Sequence, residues 1–159
     1  MESEEVLSFV EKNAIDKKII SEVGECATGI IKRNWNQCAI FSESTARNAL
    51  AFELRRVFGY NTMMETTIPI VDYLPEPYLP VNIGFGRTDI TFYSHAEQVY
   101  VILELKISGK VDVAIQQGKA YLYATERHYK EQFKHYLAIV VFFDMEKQIV
   151  RCYHVEKTW

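Results

Sequence analysis

Apolar positions recur at helical spacing through the first third of the chain and at strand spacing, or continuously, through much of the rest. Ser3 precedes Val6, Leu7 and Val10, which share one side of a first helix. Ile20, Val23, Ala27, Ile30 and Ile31 keep the helical period, so a second helix runs over about 16–33, and 34–41 is a connection. Ser42 caps a third helix over 43–58, and Gly59 stops it. The period then changes. Thr66, Thr67, Ile68, Ile70 and Val71 are strand formers, ended by a loop holding Pro75, Pro77 and Pro80. Strands over 88–93 and 99–107 flank the tight segment Ser94, His95, Ala96 and Glu97. Asp112 opens a helix that reaches Ala124, with an extension toward His135 as the longer option. Strands over 137–143 and 149–155, on either side of Asp144, Met145, Glu146 and Lys147, close the chain. Helices, three strands, a helix and two strands give an α/β fold, a central mixed sheet with helices on both faces. No repeat, low-complexity tract or linker divides the sequence. Residues 1–159 therefore read as one domain, with 1–41 a helical extension and 42–159 the core.

Composition narrows the function classes. The longest apolar run, 137–143, is strand-sized, so no membrane span is expected. The acidic start (Met1, Glu2, Ser3, Glu4, Glu5) lacks the basic region and apolar stretch of a secretory signal. Three cysteines, Cys26, Cys38 and Cys152, are odd in number and show no CxxC spacing. That argues against a disulfide framework or a zinc knuckle and suits a reducing compartment, so an intracellular location, cytoplasmic or nuclear, is expected. The net charge of −3 counts against a protein that holds nucleic acid by bulk electrostatics. It leaves room for an enzyme whose carboxylates hold a divalent metal at the phosphate.

The chemistry-bearing run is Val-Tyr-Val-Ile-Leu-Glu-Leu-Lys-Ile over 99–107. It is apolar almost throughout, yet strand period puts Ile102, Glu104 and Lys106 on one face. Burying two charges there is costly unless they pair or serve a site. With Ser94 to Glu97 as the hairpin loop, Tyr93 pairs with Gln98, and Asp89 opposes Ile102 and lies diagonal to Glu104. Diagonal neighbours sit about 7–8 Å apart, close enough for two carboxylates to share one metal ion. A slip of one residue would turn Asp89 to the other face. Two carboxylates with a lysine suit metal-assisted phosphodiester hydrolysis: the carboxylates hold Mg2+, the metal polarises the phosphate and activates a water, and the lysine offsets charge. The competing reading is a structural ion pair, Glu104 with Lys106 or Arg87, at a sheet end.

Other residues extend the constellation. Glu43 shares a helical stripe with Arg47, Leu50, Leu54 and Val57, which aims its carboxylate at the sheet; the alternative is a helix-start glutamate favoured by the dipole. Glu53 falls at the edge of that stripe. Gln117 and Tyr121 share a face with Ala114, so Gln117 could reach a bound phosphate or water, or be a partly exposed amide. Lys119, Lys130 and Lys134 form a basic stripe if their helix is long enough, or a solvated face.

Asp89 followed by Glu-Leu-Lys at 104–106 resembles the PD-(D/E)XK nuclease superfamily, with Thr88 where the eponymous proline sits. The run Glu-Ser-Thr-Ala-Arg-Asn-Ala-Leu-Ala-Phe-Glu-Leu-Arg-Arg over 43–56 is more closely similar to the GxxExxY protein family within that superfamily. So are Ile-Pro-Ile at 68–70, Arg-Thr-Asp-Ile at 87–90, Val-Ile-Leu-Glu-Leu-Lys at 101–106, and Gln117 followed by Tyr121 and Leu122. The likeness spans about 43–143. Ile40 and Ala46 stand where the family has its glycine and tyrosine, a departure that spares the metal-site positions and bears on the substrate groove. The resemblance implies a restriction-endonuclease-like αβββαβ core and a Mg2+ or Mn2+ site. In it Asp89, Glu104 and the Leu105 carbonyl are metal ligands, Lys106 the catalytic lysine, Glu43 an auxiliary acid and Gln117 a supporting group. Arg87, Lys119 and Tyr121 are the candidate substrate contacts.

The expected function is metal-dependent hydrolysis of DNA, ahead of RNA. The second reading is a nuclease-fold module that binds nucleic acid or a protein partner without cutting, and the third is a structural or regulatory homodimer. His95, His128, His135 and His154 do not cluster along the chain, which counts against a zinc or histidine-based enzyme. Gly84, Phe85 and Gly86 lack the following helix and lysine of a phosphate loop.

Overall fold

Ile19, Val23, Ala27, Ile30 and Ile31, one face at helical spacing, all turn inward from helix α1, Ala14–Asn34. The protein is seen here in a computed structural model that describes residues 14–34, 42–65, 67–69, 85–107, 109–130 and 132–155. The helix expected after Ser3 and the loop holding Pro75, Pro77 and Pro80 lie outside the described residues, and so does the connection expected over 34–41 apart from Asn34, which ends α1. Helix α2, Glu43–Phe58, begins and ends at the expected signals. Ser42 Oγ accepts a hydrogen bond from the Thr45 backbone N–H at 3.1 Å, and Gly59 closes the helix at φ 72, where a side chain would be strained. Ala46, Leu50, Ala51 and Leu54 are its buried face, while Val57, expected on the same stripe, is exposed.

Strands β1 (Asn61–Met64), β2 (Thr67–Pro69), β3 (Phe85–Arg87), β4 (Ile90–Ser94) and β5 (Val99–Lys106) follow. Helix α3 (Val111–His128) then leads to β6 (His135–Asp144) and β7 (Ile149–His154). The main sheet has the order β1-β4-β5-β6-β7, and β2 and β3 form a separate antiparallel pair. Only β5 and β6 run parallel among the main sheet's neighbours; such a pair needs a long crossover, which α3 supplies. The expected mixed sheet with helices on both faces is what the chain forms. One face packs Val101, Leu103, Leu105, Ile139, Val141 and Phe143 against α1 and α2. The other packs Tyr100, Ile102, Ala138 and Val140 against α3, where Gly118 allows close approach: a Cβ there would lie 3.2 Å from Val155.

Further details differ from the sequence reading. The β4–β5 loop is His95 to Gln98, with Ser94 paired to Val99, so the register is shifted by two residues. Gln98 takes the left-handed seat at φ 55 that usually marks such a loop with glycine or asparagine. Gln148, at φ 57, does the same before β7. The edge strand β1 was not expected. Helix α3 ends at His128, where Tyr129 N–H still bonds Thr125 C=O, so Lys130 and Lys134 leave it and make no stripe with Lys119. Finally, His135 and His154 meet after all. Their Nε2 atoms stand 2.5 and 3.3 Å from the two carboxylate oxygens of buried Asp16, tying the start of α1 to β6 and β7. Lys18 pairs with Glu97, and the Tyr60 hydroxyl donates to Glu22 at 2.6 Å, so α1 is pinned further along its length.

Candidate functional site

Strand β5 is buried at every position except its last, Lys106. Alternation along it sends Val101, Leu103 and Leu105 to the α1/α2 face and Ile102, Glu104 and Lys106 to the other. In the observed register Ile90 faces Leu103, so Asp89, one residue before β4, comes level with Glu104 rather than diagonal to it. A shift of two residues keeps the face and closes the distance; a shift of one would have removed Asp89 from the site. Asp89 Oδ2 accepts the Leu105 backbone N–H at 2.7 Å, which fixes the carboxylate at the mouth of the ladder.

Glu43, Asp89, Glu104, Leu105, Lys106, Val113, Ala114 and Gln117 line one cavity of about 160 Å³. Helix α2 brings Glu43 from the opposite layer, around the end of the sheet. The leucine's side chain packs with the α1/α2 core, so what Leu105 offers the cavity is main chain. Gly109, at φ 83, turns the chain from β5 toward α3 and lies beside the Lys106 stem. On α3, Gln117 Nε2 donates to the Tyr121 hydroxyl at 2.8 Å, which orients the amide and leaves its oxygen as an acceptor. Tyr121 itself is buried behind it.

The electrostatics are those of crowded acids. Burial, then the Asp89 carboxylate and Glu43, push Glu104 well above the usual carboxylate range, against a pull from the Asp89 backbone N–H. Glu43 is raised too, by burial and by Asp89, with Lys106 and Arg47 opposing. Glu104 is 4% exposed, and its Oε1 is buried with no hydrogen-bond partner among the described residues. An unpaired buried oxygen costs about 1–3 kcal/mol, a cost that a bound cation would remove.

This donor set fits a hard divalent ion. Two carboxylates at one level, a third across the cavity and a nearby main-chain carbonyl are the oxygen ligands such ions take. Among the described residues no three His, Cys, Asp or Glu side chains form a ready-made metal cage. Mg2+ is commonly bound by one or two carboxylates with water and substrate phosphate, so an open pair is compatible with it.

Of the residues singled out in the sequence, Glu43, Asp89, Glu104, Leu105, Lys106 and Gln117 are brought together here. Lys119 and Tyr121 are not on the cavity wall. Arg87 ends β3, and its side chain is outside the described residues. Glu53 is engaged elsewhere, by Arg33 and Arg56. Two charged groups were missed. Arg47, one turn after Glu43, places Nη1 3.7 Å from Asp89 Oδ1 and Nη2 3.0 Å from Glu65 Oε1. Glu65, at φ 54, donates its backbone N–H to the Asp89 carbonyl at 3.1 Å. The stripe shared by Glu43 and Arg47 was a signal for the first; nothing in the sequence marked the second. No protein-family model matches the chain, and no curated protein sequence matches it.

Proposed function

We propose that the chain is a metal-dependent nuclease of restriction-endonuclease-like type, hydrolysing phosphodiester bonds of DNA ahead of RNA. One observation carries the reading: Asp89 and Glu104 stand level on adjoining chain segments, with Lys106 on the same face, around one cavity, and one oxygen of Glu104 is buried without a hydrogen-bond partner among the described residues. The order α2, β1, β4, β5, α3, β6, with β5 and β6 parallel, supports it as an αβββαβ core. So does the resemblance to the PD-(D/E)XK pattern at Asp89 and residues 104–106.

Asp89, Glu104 and the Leu105 carbonyl would hold Mg2+ or Mn2+, with Glu43 as an auxiliary acid. When bound, the ion supplies neutralisation of phosphate charge and a water acidified enough to attack. The chain's own groups do the remainder. Lys106 sets an ammonium at the cavity wall to offset negative charge on the scissile phosphate. Gln117, held by Tyr121, orients a water or phosphate oxygen. Glu43, whose hold on a proton is strengthened by burial and by Asp89, faces the same cavity and can pass a proton there.

The test is cleavage of single- and double-stranded DNA and RNA with Mg2+, Mn2+ or EDTA, beside Glu104→Ala. Metal-dependent cutting that disappears in Glu104→Ala is expected, while cutting that persists would place the chemistry elsewhere. A net charge of −3 favours a second reading, a nuclease-fold module that binds a partner without cutting. Absence of both cleavage and metal binding would select it.

A further inference from the structure

Arg47 sits where a cation is wanted. Its guanidinium lies between Asp89 and Glu65, its side chain only 17% exposed. The two contacts are unequal. Nη2 is within hydrogen-bond distance of Glu65 at 3.0 Å, whereas Nη1 stays 3.7 Å from Asp89. Asp89 does not need that contact for its orientation, because Leu105 N–H already fixes its other oxygen. What Arg47 gives Asp89 is therefore charge, from a group anchored on the outer carboxylate. Glu65 is in turn tied to Asp89 through the main chain, which keeps both acids within reach of one guanidinium.

Resting on the metal-dependent reading above, we propose that Arg47 is the resident counter-cation of the site, which a divalent ion must displace toward Glu65 when it binds Asp89 and Glu104. Arg47 and the ion compete for the same carboxylate charge. Glu65 sets the balance by stabilising the guanidinium in its outer position. Arg47 thereby raises the cation concentration at which the site fills, and keeps the crowded acids partly neutralised until it does.

The test is calorimetric titration of Mn2+ into the metal-stripped full chain at low ionic strength, with no nucleic acid present. Arg47→Gln removes the competing charge at similar size and is expected to tighten Mn2+ binding about tenfold, the scale of one unit charge acting on a nearby divalent ion. Arg47→Lys restores the wild-type affinity. Glu65→Gln, at an exposed position, removes the outer anchor and is expected to weaken binding severalfold in the wild-type background. In the Arg47→Gln background that weakening vanishes, which separates action through Arg47 from a simple loss of negative charge. Equal or weaker binding by Arg47→Gln overturns the proposal while leaving the metal site standing. Were Arg47→Gln unfolded by circular dichroism, unchanged affinity in Glu65→Gln would overturn it instead. No Mn2+ binding by wild type or any variant would remove the metal reading and this inference with it.

Discussion

Glu104 is held at a cost to stability that its proposed work explains. Its folded-state pKa is raised, by burial first and by Asp89 and Glu43 next. The proton is therefore bound more tightly in the folded than in the unfolded chain. Stability from this group is fully present below the ordinary value of 4.5 and is lost as pH rises through the elevated folded value. Glu104→Gln removes the ionisation and keeps the shape. In EDTA, the variant is expected to melt above wild type by on the order of 5 °C at neutral pH, from about 1–3 kcal/mol. The gap should close as pH falls below 4.5. Thermal melts across pH check this, and a variant less stable than wild type at neutral pH would mean that the hydrogen bonds Glu104 makes with Asp89 outweigh the cost of its burial. At this scale the sequence told much. Glu104 and Lys106 were legible because charges two apart in an apolar strand have few innocent uses. Glu65 was not, since an acid after an edge strand looks like ordinary surface, and the stripe Arg47 shares with Glu43 gave its direction but not its partners.

Elements were legible where their ends carry chemistry. Ser42 and Gly59 bounded α2 because a hydroxyl acceptor and a left-handed seat are needed there. The two hairpin loops were each placed one residue early because Gln98 and Gln148 occupy the left-handed position without announcing it. Strand β1 was missed because it is short, at a sheet edge, and alternates little, with Met63 and Met64 both exposed. Helix α1 was legible as a helix, but its docking to Asp16, His135 and His154 was not, because the three residues lie far apart in sequence. That clamp makes its own prediction. Burial would raise Asp16, but hydrogen bonds and charge from His135 and His154 outweigh it and lower the carboxylate to about 2. A depressed acid stabilises the fold above its unfolded pKa of 3.8, and that contribution is lost as pH falls through about 2. Asp16→Asn is expected to cost about 2 kcal/mol at neutral pH, with the difference from wild type shrinking between those two values. Urea denaturation at several pH values measures it. A constant difference down to pH 2 would show that hydrogen bonding, not charge, carries the clamp.

Over the whole molecule, the clamp and the cavity occupy opposite ends of the sheet: His135 opens β6 and His154 ends β7, while Glu104 and Lys106 end β5. No helix among the described residues is long and apolar enough to cross a membrane. The mixed sheet was foreseeable from the order of elements, because a strand, a helix and a strand in succession favour a parallel pair; the separate β2–β3 pair was not, since short strands take their partners from tertiary contact. Charge at this scale constrains how a polyanion can be held. With 18 basic against 21 acidic residues and a cavity walled by three carboxylates, the chain has no surplus with which to attract DNA by itself. If phosphate binds at this cavity, the cation must come first or arrive with it. Ca2+ takes the same kind of oxygen ligands as Mg2+ but with looser geometry, so it can fill the site while leaving the strict octahedral positioning to Mg2+, and it reads binding apart from cutting. Fluorescence anisotropy of a labelled duplex should show affinity tightened at least about tenfold by Ca2+ over EDTA, an order consistent with ligand linkage through a shared site. The same titration with Glu104→Ala should show no gain. Equal DNA affinity with and without Ca2+ would mean that nucleic acid, if it binds, binds away from the acids, and that the cavity serves another anion or none.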